Sequence, residues 1–177
     1  MEATTKYKSK QLFMVVLHGP MGSGKTALAD IIHDEIADTA HFGADHIKWL
    51  VSKNVPSHTQ VAKNMIPLMA EGYLKQGINT ILEQAFSEAE IKELENTAKR
   101  FNAQFLVYQL DAGREVLSSR IVERTQRLGK LEVSKEHIDK SYEEYLANIY
   151  SGGIVFDSVK MSLREMADKI LRDLGLI

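Results

Sequence analysis

Residues 12–26 read LFMVVLHGPMGSGKT, and the rest of the chain can be read outward from them. Leu12–Leu17 is a short apolar run without alternation, which suits a strand buried on both faces of a parallel sheet. Gly19–Thr26 then matches G-x-x-x-x-G-K-[ST] in full. A helical pattern follows from Lys25 to about Ala37, with Leu28, Ile31, Ile32 and Ile36 on its apolar face. The glycines at 19, 22 and 24 permit backbone angles and close approach that a side chain would block. Amides along Met21, Gly22, Ser23, Gly24, Lys25, Thr26 and Ala27 can then line a concave nest, and the helix N-terminus adds partial positive charge. Lys25 has the reach for β- and γ-phosphates, and the Thr26 hydroxyl can ligate Mg²⁺. A nucleoside triphosphate site is the reading.

Strand and helix patterns alternate beyond this segment. His41–Ala44 is a weak second strand. Ser57 and Gln60 form a capping box for a helix to about Lys75, with a kink expected at Pro67 and an end at Gly77. Its stripe of Met65, Ile66, Leu68, Met69 and Leu74 reads as core packing. Ile78–Glu83 is the third strand, Ser87 and Glu90 cap a helix to about Phe101, and Gln104–Leu110 is the fourth strand. Arg114 to about Leu128 is helical, Gly129 and Lys130 interrupt, and another helix begins near Ser134. Ile154–Phe156 is a short fifth strand, and Ser162 with Glu165 caps the last helix. Such alternation predicts an α/β fold with a parallel sheet covered on both faces.

The 177 residues suit one domain over 11–177, with 1–10 as a flexible arm. Apolar residues at 44% and charged residues at 26% exclude a disordered chain. The absence of cysteine excludes a disulfide scaffold, a zinc ribbon and cysteine catalysis, and suits a reducing cytoplasm. A net charge of −2 excludes a strongly basic nucleic-acid coat. The longest apolar run near the start is too short to span a bilayer, and no signal peptide is read, so no membrane partner is expected.

With the Gly19–Thr26 loop in this context, the chain resembles the small, AAA-like P-loop kinases. These include shikimate and gluconate kinases, adenylate kinases, chloramphenicol phosphotransferase, zeta toxins and the kinase half of polynucleotide kinases. The resemblance implies a three-layer P-loop NTPase fold with a five-stranded parallel sheet of order 2-3-1-4-5. It also implies ATP as donor, Mg²⁺ as cofactor and an arginine-bearing lid, here about 124–134. Similar kinases carry an acidic residue where Asp45 stands, just after the second strand, and it orients or deprotonates the acceptor hydroxyl. A helix cap is the other reading of Asp45. Lys48, one turn on, is a ligand for an anionic acceptor or a solvated lysine. His46 reads as a surface residue or a support to its neighbours. Glu83 ends the strand beside the first one, where relatives often carry Asp; it holds Mg²⁺ through water, contacts the acceptor, or is an ordinary strand-end acid.

Arg114, Arg120, Arg124, Arg127 and Lys130 make the segment before and within the implied lid locally basic. Arg120 and Arg124 share a helix face, and the resemblance gives them the triphosphate and its transition state. Arg127 is assigned to the substrate side. The competing reading is a solvated helix with ion pairs such as Glu123–Arg127. The loop at Asp157-Ser158 corresponds to one near the nucleotide base in relatives.

The expected activity is Mg²⁺–ATP-dependent phosphoryl transfer to a hydroxyl of a small molecule or of a nucleic-acid 5′-end. Between Asp45 and Ala85 the only basic residues of lysine or arginine type are Lys48, Lys53, Lys63 and Lys75, which disfavours a nucleoside monophosphate acceptor. No Asn-Lys-x-Asp segment exists to read guanine, so a GTPase switch is disfavoured. The alternative is a nucleotide-binding regulatory module or an ATPase without an acceptor. No oligomeric state follows from these features.

Overall fold

The computed structural model describes residues 5–52, 58–127, 129 and 133–177. Lys53, the Ser57 half of one expected capping box, and residues 128 and 130–132 of the expected lid lie outside the described residues.

The elements run β1 (Phe13–His18), α1 (Lys25–Glu35), β2 (Thr39–Phe42), α2 (Ala44–Lys48), α3 (His58–Lys75) and β3 (Asn79–Gln84). They continue as α4 (Glu88–Arg100), β4 (Gln104–Asp111), α5 (Arg114–Arg127), α6 (Lys135–Leu146), β5 (Ile154–Asp157) and α7 (Leu163–Asp173). The five strands form one sheet of order β2-β3-β1-β4-β5, and every pairing is parallel. This is the expected order.

All six residues of β1 are buried, and their alternation divides the core. Phe13, Val15 and Leu17 pack with Leu28 and Ile32 of α1 and with Met166 and Ile170 of α7. Met14 and Val16 face the opposite layer, with Ile66 of α3 and Ile91 and Leu94 of α4. Successive strand residues point to opposite faces, so a continuous apolar run becomes two half-cores. The register sets Leu17 beside Glu83 and His18 beside Gln84. The last turns of β1 and β3 therefore open onto one edge, where ligands bind in open α/β sheets.

The capping boxes at Ser87/Glu90 and Ser162/Glu165 form as expected. Three features differ from expectation. The core stripe of α3 is Ala62, Ile66, Ala70 and Leu74, at a strict spacing of four, while Met65 and Leu68 are exposed. Small alanines bring the helix close to the sheet, and the methionine stripe turns partly outward. The second strand lies two residues earlier than expected, and a short helix, α2, follows it. The expected loose arm is docked at residues 6 and 7. The amides of Lys6 and Tyr7 each donate to the Glu35 carbonyl at 2.9 Å, the Ala37 amide donates to the Tyr7 carbonyl at 2.8 Å, and Lys6 Nζ lies 2.6 Å from Glu35. Among the described residues, no helix is long and apolar enough to cross a membrane.

Candidate active site

The loop between β1 and α1 packs tightly beneath α5. Gly22 has φ +80°, and a Cβ there would lie 2.9 Å from Ile121 Cγ1. Both the backbone angle and the space require glycine. Gly24 precedes the first residue of α1, so Lys25 and Thr26 open the helix at its positive end. The Met21 amide donates to Ser141 Oγ of α6 at 3.1 Å, and Lys25 Nζ donates to the loop's own Pro20 carbonyl at 2.8 Å. Ser23 Oγ is buried without a hydrogen-bond partner.

Lys25 is the electrostatic centre. Burial is the main cause that lowers its pKa to about 8; the charges of Glu83 and Asp45 oppose the shift, and that of Arg124 adds to it. Residues from three separate elements, α2, β3 and α5, thus act on one ammonium group of α1.

Thr26 Oγ1 donates to Glu83 at 2.9 Å from Oε1 and 2.7 Å from Oε2. Burial works to raise the Glu83 carboxyl, but His41, Thr26 and the Lys25 charge outweigh it and hold it below the usual carboxylate range. A hydroxyl and an ionised carboxylate side by side are hard oxygen donors, which fit a magnesium ion.

Gly43 makes this arrangement possible. A Cβ at Gly43 would stand 2.1 Å from the Glu83 carbonyl oxygen, so only glycine lets the end of β2 pass so close to β3. Directly after it, α2 presents Asp45 in its first turn. Gly43, not Asp45, occupies the cap position, so the capping role considered for Asp45 is not the one it plays. The Asp45 side chain is 80% exposed and pairs with Lys48 Nζ at 2.5 Å. Lys48 thus neutralises Asp45 and lies 5.3 Å from the Trp49 ring centre.

The arginines separate. Arg120 Nη1 donates to Ser158 Oγ at 3.0 Å and Nη2 to the Ser158 carbonyl at 2.7 Å. Its guanidinium is held by the loop after β5, which offers two acceptors at fork spacing. Arg124 is the arginine whose charge reaches Lys25. Arg114 ties α5 to α6, 3.6 Å from Asp139, 3.3 Å from Glu143 and 5.4 Å from the Tyr142 ring centre. Arg127 is exposed and forms no ion pair with Glu123 among the described residues.

Sequence reading missed the groups that hold the site's walls. His18 is fully buried; its Nδ1 accepts from the Phe86 amide at 3.0 Å and its Nε2 meets the Asn148 carbonyl at 3.1 Å. The Gln109 side chain brackets Tyr150, donating to its carbonyl at 2.9 Å and accepting from its amide at 2.8 Å. A polar residue at each buried strand end was the available signal. His41 was also missed; its Nε2 lies 3.7 Å from Glu83 Oε1.

The fold recurs in solved structures. A tunicamycin resistance protein from Deinococcus radiodurans superposes with a TM-score of 0.66 at 16% identity, covering 94% of this chain and 98% of that one. The APS kinase CysC of Mycobacterium tuberculosis, in complex with AMPPNP and APS, gives 0.67 at 14% identity, covering 93% and 98%. A gluconokinase from Sinorhizobium meliloti 1021 gives 0.61 at 15% identity, covering 92% and 91%. At these identities the likeness concerns the fold. No curated protein matches the sequence. The AAA domain family model (AAA_33) matches residues 14–146, from the buried first strand through the helix that carries Ser141. The chain therefore belongs to the AAA domain family and has the fold of the small P-loop kinase superfamily.

Proposed function

We propose that the protein is a Mg²⁺–ATP-dependent kinase that transfers the γ-phosphate to a hydroxyl, on a small molecule or a nucleic-acid 5′-end. One observation carries this reading: at the open edge of β1 and β3 the loop's Thr26 donates to Glu83 at 2.9 and 2.7 Å, beside Lys25, on which the charges of Glu83, Asp45 and Arg124 also bear. A phosphate-binding cation, two carboxylates and a second cation are the parts that phosphoryl transfer needs.

Lys25 and the loop amides bind the triphosphate. Thr26 and Glu83 would hold a magnesium ion, which when bound supplies neutralisation of phosphate charge. Asp45 accepts the proton of the acceptor hydroxyl as its oxygen attacks the γ-phosphorus; the bond to the β-phosphate oxygen breaks, and ADP leaves with the electron pair. The attack requires Asp45 to exchange Lys48 for the acceptor, and its exposure at the rim allows this. Arg124 neutralises charge that develops on the transferred group. Arg120 positions the Ser158 loop against the nucleotide. A cytoplasmic setting suits a chain without cysteine.

The test is γ-labelled ATP with Mg²⁺ against sugars, sugar acids, nucleosides, nucleoside monophosphates, antibiotics bearing hydroxyls, and 5′-hydroxyl oligonucleotides. Label should pass to one class, and Lys25→Ala and Asp45→Asn should each sharply reduce the transfer, with ATP binding retained in Asp45→Asn. Phosphate released only to water, at one rate with or without every acceptor, would sink the kinase reading.

A further inference from the structure

His41 sits at the edge of β2 with its side chain only 5% exposed. Its Nδ1 lies 3.3 Å from Asp30 Oδ1. Its Nε2 is buried, has no hydrogen-bond partner, and stands 3.7 Å from Glu83 Oε1. A carboxylate on one ring nitrogen orients an imidazole and turns the other nitrogen's lone pair outward, the arrangement behind most metal-ligating histidines. Here that nitrogen faces the Glu83 carboxylate at 3.7 Å, beyond hydrogen-bonding distance. His46 Nδ1 lies 3.9 Å from the same oxygen. The three ligand atoms, one from each residue, all fall within 4.8 Å of one another. Two imidazole nitrogens and a carboxylate oxygen this close together can all bond to one cation placed between them.

We propose that His41 Nε2, His46 Nδ1 and a Glu83 oxygen form a binding site for a divalent transition-metal ion of the zinc or cobalt type, beside the oxygen-lined magnesium position at Thr26. Two imidazoles and one carboxylate suit zinc and cobalt and are a poor match for magnesium. Zinc–ligand bonds of about 2.0–2.2 Å in tetrahedral geometry set ligand atoms ~3.4 Å apart. The two distances to Glu83, 3.7 and 3.9 Å, need only small closing movements, and the two imidazole nitrogens start within 4.8 Å of each other. His41 is the anchored ligand, with Asp30 behind it. His46 is the mobile one: it is 46% exposed, and its Nδ1 gives up the Gly43 amide, now at 3.2 Å, to take the ion. Fourth and further positions are left for water. Glu83 is common to both positions, since Thr26 also donates to it.

The test uses the untagged 177-residue chain without nucleotide, so it stands apart from the kinase question. Cobalt(II) is titrated in, its visible d–d absorption is followed, and zinc is then added to displace it. One equivalent of cobalt should give a saturable band that zinc removes and a hundredfold excess of magnesium does not. His41→Ala and His46→Ala should each weaken cobalt binding at least tenfold, while thermal melts of the metal-free variants show that they fold. Asp30→Asn should weaken it about tenfold through the orientation of His41. His33→Ala, whose ring bonds Thr39 instead, should leave the band unchanged. Absence of a saturable band in the wild-type protein would overturn the proposal. So would a band that survives in both His41→Ala and His46→Ala.

Discussion

The loop at Gly19–Thr26 and the turn at His41–Lys48 flank the same carboxylate, Glu83, but they are made of different material. The loop is backbone: amides and a helix end, with glycine where φ is +80° at Gly22. Its two working side chains, Lys25 and Thr26, are adjacent in sequence. The turn is side chains: His41, Asp45, His46 and Lys48 meet Glu83 or one another across β2, α2 and β3. A backbone site recognises what every nucleotide shares, its phosphates. A side-chain site is free to vary, and this is where an acceptor would be chosen.

The hardest blow to the loop half is Lys25→Ala. Transfer efficiency should fall on the order of 10³-fold, about 4 kcal/mol of transition-state stabilisation. Asp45→Asn should cost about 10²-fold and leave nucleotide affinity nearly intact. Titration calorimetry with ATP beside steady-state kinetics separates the two. Equal loss of nucleotide binding in both variants would erase the distinction between the halves.

A second contrast concerns pH. Burial, aided by the Lys25 charge, pushes the His18 ring down to about 4. An unfolded histidine takes up its proton near 6.5, so between these values the unfolded chain binds more protons than the folded one. The stability from neutral His18 is full above about 6.5 and is lost as pH falls toward 4, about 3 kcal/mol in all. Denaturant unfolding from pH 7.5 to 4.5 should show this slope, and His18→Gln should lack that part of it. Identical slopes would mean that the ring is not held neutral between Phe86 and Asn148.

Gly43→Ala tests the turn half directly. Its Cβ would meet the Glu83 carbonyl at 2.1 Å, backbone against backbone, and forcing them apart should cost about 1–3 kcal/mol. Gly72→Ala is the matched control. Gly72 lies inside α3, and nothing stands within 4 Å of its would-be Cβ, so alanine there should stabilise by roughly 0.5–1 kcal/mol. Chemical denaturation of both measures the difference. A Gly43→Ala protein as stable as wild type would show that β2 and β3 are not locked where Glu83 needs them.

What was legible in the sequence follows the same division. The unalternating run Leu12–Leu17, the glycine spacing and two capping boxes are local patterns, and they yield the sheet order together with the family resemblance. Lys25, Thr26 and Glu83 could be named because motif spacing or a strand end marks them. The pairing of Lys48 with Asp45 was hidden, because a five-residue helix leaves almost no periodicity to read. His18 and Gln109 were hidden because their partners are backbone atoms of residues 86, 148 and 150, far along the chain. The outward turn of Met65 and Leu68 escaped because alanines at 62 and 70 carry too little hydrophobicity to advertise the true face.

Arg120 and Arg124 mark the finest division, since one helix face holds both and sequence treats them alike. The structure gives Arg120 two acceptors on Ser158, at 3.0 and 2.7 Å, and gives Arg124 the field at Lys25. Arg120→Ala should therefore loosen the loop after β5. KM for ATP should rise about tenfold, roughly 1.4 kcal/mol, with kcat within about twofold of wild type. Charge removed from a transition state instead lowers kcat and kcat/KM together. If Arg120→Ala lowered kcat as Arg124→Ala does, the Ser158 contacts would be a resting arrangement that Arg120 leaves during turnover. If KM alone moves, the two arginines serve the base end and the phosphate end of one nucleotide, four residues apart on one helix.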